Sequence, residues 1–250
     1  MIFFLLKAGS LLVFLLLHIF FHHILSGQSW TSYRACVRGR IPKKTCLQRQ
    51  MTLCKKSSHV VTKVLRLTTG SLEDLLKKRD DLKIIHLFRN PLAIINSRTE
   101  SVGYPVRDYA ANAVTLCKKM MIDYDGAKRL KEKYPDRVKL VFYEDIKSNV
   151  NEKIKKLYEF IGMEFIQSEV DRLNKVTPNQ SRVRSPNIQN TRTKNNAHWW
   201  RTHMTYQRYK STYDKCKQLA KDFNITYFSD RNHLLKLNIP DMTLPKHLII

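Results

Sequence analysis

Acidic residues are scarce in this chain. Only 21 Asp and Glu stand against 45 Lys and Arg, a formal net charge of +24 over 250 residues. Such a field attracts polyanions, and acidic partners of several kinds satisfy it: nucleic acid, anionic lipid, anionic glycan and phosphorylated nucleotide. Charge alone does not choose among them. A CxxC pair is missing, as is any Cys/His cluster at metal-ligand spacing, which excludes a zinc finger and gives no reason to expect a metal. No nucleic-acid-binding module is recognisable, so a nucleic-acid partner is not expected. No internal repeat is present, which excludes a solenoid. The cysteines number five, so they cannot all pair within the chain. Disulfides among them are expected only on the secretory route.

What is present starts with a long apolar run. Residues 2–25 (IFFLLKAGSLLVFLLLHIFFHHIL) hold a single charge, Lys7. A membrane span needs about 20 such residues. Leu25 is too large for a good signal-peptidase site, which favours an uncleaved anchor over a cleaved signal peptide. The expected organisation is a signal anchor over 1–26 and a basic stem or irregular segment over 27–58. Orientation signals conflict. Arg34, Arg38, Arg40, Lys43 and Lys44 follow the run and by the positive-inside rule belong in the cytosol. The sequons at Asn179 and Asn224 belong in the lumen.

Beyond the stem, strand and helix patterns alternate. Val60–Leu67 is β-branched and reads as a strand. Ser71 caps a helix over Leu72–Lys78. Leu82–Phe88 (LKIIHLF) is a second strand, and Pro91 fits the first turn of the helix that follows. Arg107–Lys133 is a long helix and Val138–Tyr143 a third strand. Glu152–Ile161 is helical and ends at Gly162. Residues 175–197 form a long exposed loop, and Tyr206–Phe223 a last helix. This alternation implies an α/β fold with a parallel sheet and right-handed crossovers. Ligands of such sheets bind beyond the carboxyl ends of the strands.

Arg89 stands at one of those ends. In Phe88-Arg89-Asn90-Pro91-Leu92-Ala93-Ile94-Ile95-Asn96-Ser97-Arg98, a strand delivers an arginine and a helix begins, its free N–H groups aimed at the same space. A helix N-terminus binds anions, and an arginine adds a bidentate fork to a phosphate. Ser97, about two turns along, reaches an anion lying on the helix side. The competing reading makes Arg89 an ion-pair partner and Ser97 a small packing residue. Glu144-Asp145, at the end of the third strand, is read as a structural pair rather than a catalytic one.

KIIHLFRNPLAIINSR resembles the 3′-phosphate motif of the Golgi membrane-bound carbohydrate sulfotransferases. Lys63–Leu67, Tyr134–Arg137, Phe142–Asp145, Leu157–Gly162, Trp200-Arg201 and Cys216 match further family segments in order. The resemblance covers residues 46–228. It implies transfer of a sulfuryl group from 3′-phosphoadenylyl sulfate (PAPS) to a glycan hydroxyl, most commonly the 6-hydroxyl of N-acetylglucosamine. It assigns Arg89 and Ser97 to the 3′-phosphate. It also assigns the loop Arg192–Lys194 to cover the nucleotide, with Trp200 either anchoring that loop or packing in the core. The implied fold is a three-layer parallel sheet of P-loop-like type over 59–230, with a tail over 231–250. The implied location is the Golgi membrane, single-pass, with the domain lumenal. The family's first strand and its Arg-Ser-Gly-Ser-Ser turn for the 5′-phosphosulfate are not found, since Gly9-Ser10 sits inside the apolar run. The domain is therefore expected to be N-terminally incomplete, and no catalytic residue is assigned. The alternative function is a non-catalytic anchored protein whose basic face binds anionic glycans.

Overall fold

The computed structural model describes residues 2–7, 28–56, 59–64, 67–99, 109–168 and 198–250. They fall into two compact units, one of residues 1–67 and 72–85, the other of 68–71 and 86–250.

In the first unit Ile2–Lys7, which the sequence reading places in the signal anchor, is a β-strand, β1, rather than helix. It pairs antiparallel with β2, His59–Val64, Ile2 facing Val64 and Lys7 facing His59. The sheet is thus not wholly parallel. β1 lies between β2 and β3, Lys83–Phe88. The physical reason for the difference at Ile2–Lys7 is ambiguity of apolar runs: five apolar residues and a lysine serve a short strand as well as part of a span, and periodicity does not separate the two. Among the described residues no helix is long and apolar enough to cross a membrane. The rest of the expected anchor, residues 8–26, lies outside the described residues.

The segment 27–58, expected to be irregular, forms two helices, α1 (Gln28–Arg38) and α2 (Lys43–Lys56). The Cys36–Cys46 disulfide joins them. α3 (Glu73–Lys78) follows a 3-10 turn over Thr69–Leu72. Ser71 does not cap it: its hydroxyl donates back to the Thr68 carbonyl at 2.7 Å. Leu76, Leu82 and Ile84 form the apolar interior on this side of the division.

The second unit begins in the middle of β3, whose alternation buries His86 and Phe88. α4 (Pro91–Thr99), α5 (Tyr109–Lys133), β4 (Val138–Phe142), α6 (Tyr143–Ser148) and α7 (Val150–Ile161) follow. α7 ends where Gly162 takes φ 74°, a left-handed cap that glycine adopts without a Cβ penalty. Then come α8 (Trp199–His203), α9 (Tyr206–Lys215), α10 (Lys217–Asp222) and α11 (Arg231–Leu235). The last long helix expected from the sequence is therefore two helices, broken at Cys216, which is held to Cys117 of α5 by a second disulfide.

Aromatic packing centres this unit. Phe88 meets Phe142 at 5.5 Å, Tyr124 at 5.7 Å and Phe223 at 5.9 Å between ring centres. The first pair is stacked and the other two meet edge to face, geometries that add about 0.5–1.5 kcal/mol each beyond area burial. The C-terminal residues pack back onto the unit. Ile225 bridges Met242, and the Thr226 amide donates to the Asp241 carbonyl at 2.8 Å.

Candidate anion site at the end of β3

β3 delivers Arg89 by simple alternation. Ile84, His86 and Phe88 point inward, and Arg89 follows at the strand's end. His86 is buried among apolar groups and shares a 2.6 Å hydrogen bond with the Thr69 hydroxyl. Burial pushes its imidazole down to about 3, so it is neutral and serves packing.

Asn90 builds the corner. It is fully buried, and its Oδ1 accepts the Leu92 amide at 3.0 Å. Its carbonyl accepts the Ile94 amide at 3.1 Å, the first turn of α4. Pro91 occupies the first helical position, where no amide is required. The Asn90 amide donates to Glu144 Oε1 at 2.9 Å. Glu144 lies in the first turn of α6, just past the end of β4. Thus the corners after two strands are locked together.

Three buried polar atoms at this junction have no partner: Arg89 Nε, Asn90 Nδ2 and Glu144 Oε2. Two are donors. Buried donors without acceptors cost about 1–3 kcal/mol each, so each calls for a partner from outside the chain, whether water, ion or ligand. The Arg89 guanidinium also lies over the Tyr143 ring, 4.7 Å from its centre. Burial pushes the Glu144 carboxyl up to about 7, with the Asn90 amide and Arg89 pulling the other way. Near neutral pH it is partly protonated, which lessens its repulsion of an incoming anion.

Ser97 is exposed on α4. It lies about 9 Å along the helix axis from Pro91. Arg192 and Lys194 lie outside the described residues. Trp200 is in the core, 2% exposed, its indole N–H donating to Asp241 Oδ2 at 2.9 Å. Arg201 beside it is wholly buried and donates to Asp241 Oδ1 at 2.8 Å and to the Leu234, Lys236 and Ile239 carbonyls. Asp145, next to Glu144, pairs with Lys153 at 3.1 Å, both nearly buried.

Asn90 and Glu144 were not singled out as site residues from sequence. Asn-Pro ahead of an apolar run is a readable cap signal. The Glu144 contact spans 54 positions and leaves no local trace.

These features define an α/β protein with a corner, where a strand hands over to a helix, at which buried donors stand without a partner. The sulfotransferase domain model matches residues 15–224. The chain belongs to the sulfotransferase domain family. It is similar to carbohydrate sulfotransferase 1 of Danio rerio, 23% identical over 218 residues, which is 78% of this chain and 52% of that protein. The chain thus spans about half the length of the curated relative it matches.

Proposed function

We propose that this chain binds PAPS through its 3′-phosphate at the β3–α4 corner and transfers the sulfuryl group to a carbohydrate hydroxyl. The unpartnered buried donors of Arg89 and Asn90 carry the reading. In it Arg89 forks the phosphate, the α4 amides face it, Ser97 donates from the helix side, and Arg192 and Lys194 cover the nucleotide. PAPS supplies the activated sulfuryl group. Glu144 holds the Asn90 amide and so keeps the corner in shape.

The acceptor is proposed to be a sugar 6-hydroxyl, with N-acetylglucosamine foremost, and the location the Golgi lumen. Two disulfides fit an oxidising compartment, and Asn224 of the second sequon is exposed.

The test is calorimetry with adenosine 3′,5′-bisphosphate. Wild type binds; Arg89→Ala weakens binding about 10- to 100-fold, the value of a charge-assisted hydrogen bond or two. Arg89→Lys recovers only part, because an ammonium lacks the fork. Equal affinity in all three proteins, each with an unchanged melting temperature, would remove Arg89 from the site.

A further inference from the structure

The first 72 residues contain no aspartate or glutamate but eleven lysines and arginines. Most of those cations lie on α1, α2 and the turn between them. Arg34, Arg38, Arg40, Lys43, Lys44, Arg49 and Lys56 are all exposed there. Among the described residues, Arg38, Arg40, Lys43, Lys44, Arg49 and Lys56 have no carboxylate partner. The Cys36–Cys46 disulfide, with Cα atoms 5.8 Å apart, fixes the two helices as one hairpin. Thr45, Gln48, Arg49, Thr52 and Lys56 recur at helical spacing and line a shallow depression along one face of α2. Cys46 and Gln50 are buried on the other side. The face combines cations with hydroxyl and amide groups.

Three of these placements run against local stability. Arg40 ends α1 at φ 60°, the left-handed position where glycine is preferred, with its amide on the Val37 carbonyl at 3.2 Å. Lys43 and Lys44 occupy the first turn of α2, where the helix dipole opposes cations and acids are favoured. Locally disfavoured choices without a compensating contact mark a surface kept for function.

The cations are spread along a hairpin rather than gathered around a point. That suits a polymer with repeated anions better than a small anion. Two disulfides fit a compartment without nucleic acid and away from the anionic cytoplasmic leaflet. We propose that the α1–α2 hairpin is a docking surface for a glycan chain that already carries sulfate groups, engaged by Arg38, Arg40, Lys43, Lys44, Arg49 and Lys56. The choice of glycan rests on the carbohydrate sulfotransferase reading above. The class of reaction that supplies this ligand is therefore an earlier sulfation of the same polymer.

The test uses the full chain with its disulfides intact and a variant carrying Arg40→Gly, Lys43→Gln, Lys44→Gln and Arg49→Gln. The probes are a fluorescent heparin dodecasaccharide, its desulfated counterpart, phosphatidylserine vesicles and an RNA oligomer. Wild type is expected to prefer the sulfated sugar. The variant should lose at least about tenfold in affinity for it, with a shallower slope of log affinity against log salt. Its melting temperature should hold or rise, because Arg40→Gly suits the left-handed turn; a merely structural role for these residues predicts a fall. Undiminished binding by the variant, equal binding of the desulfated sugar, or preference for vesicles or RNA would each overturn the proposal. Adenosine 3′,5′-bisphosphate titration of the same proteins separates the two readings. Wild-type protein that binds the sulfated sugar but not the nucleotide would sink the enzyme reading and leave the docking surface standing.

Discussion

Glu144 Oε1 accepts the Asn90 amide at 2.9 Å, so a carboxyl on the corner after β4 shapes the corner after β3. That carboxyl ionises near 7 rather than at the ordinary 4.5, because it is buried. The folded state therefore holds its proton more tightly than the unfolded chain does. Stability from this group is full below the ordinary value and falls as pH rises towards 7, by about 3 kcal/mol in all. Glu144→Gln keeps an acceptor for the amide and removes the titration. Urea denaturation at pH 5 and pH 8 should show a smaller loss of stability in the variant than in wild type. Equal losses would show that Glu144 does not titrate in that window.

Asp241 gathers Trp200, Arg201 and His198 at 2.9, 2.8 and 2.9 Å. Asp241→Ala leaves the wholly buried Arg201 with carbonyl partners alone. Breaking a buried pair from one side costs about 3–5 kcal/mol, and the three remaining carbonyls place the expected loss at the lower end. His198 supplies a second readout. Its imidazole is raised above the ordinary 6.5 chiefly by the Asp241 carboxylate, 2.9 Å from its Nδ1. Its stabilising contribution is full below 6.5 and is lost as pH rises through the raised value. In Asp241→Asn, NMR titration should find His198 back near or below its ordinary value. An unmoved titration would mean that Asp241 is not its partner in solution.

The strand and corner at Lys83–Pro91 were legible because their signals are local. Alternating apolar residues give β3, and Asn-Pro gives the helix start. The observed strand, Lys83–Phe88, differs from the expected one only by Leu82. α7 and its Gly162 stop were legible for the same reason. What escaped reading depends on distant partners. Ile2–Lys7 is a strand because His59–Val64 pairs with it, more than fifty positions away. Glu144 and Asp241 matter through residues 54 and about 40 positions distant. The α1–α2 hairpin lacks a strong apolar stripe, and the crosslink that organises it cannot be paired from five cysteines by spacing alone.

Gly126 in the middle of α5 sets two effects against each other. In an exposed helix, Gly→Ala gains about 1 kcal/mol. Here a Cβ would sit 2.7 Å from the Gly70 amide nitrogen and 3.1 Å from its Cα, both backbone atoms. Overpacking against an unyielding backbone costs about 1–3 kcal/mol. The turn at Thr69-Gly70 is also held by the Thr69 amide on Asp123 at 3.2 Å, so it does not shift freely. Gly126→Ala should therefore destabilise, and equilibrium denaturation should show it. A gain in stability would mean that the turn stands off α5.

The two disulfides should differ in worth because they close loops of different length. Cys117–Cys216 spans 99 positions and Cys36–Cys46 spans 10. Chain-entropy scaling gives about 4–5 kcal/mol for the first and about 3 kcal/mol for the second. The first also holds α5 to the break between α9 and α10, so its loss frees that junction. Paired Cys→Ala variants, measured by chemical denaturation under oxidising conditions, should lose more stability at Cys117/Cys216 than at Cys36/Cys46. Reduction of wild type should approach the sum of the two losses if the sites act independently. The reverse order would show that native contacts around the hairpin, rather than loop closure, set the value of its crosslink.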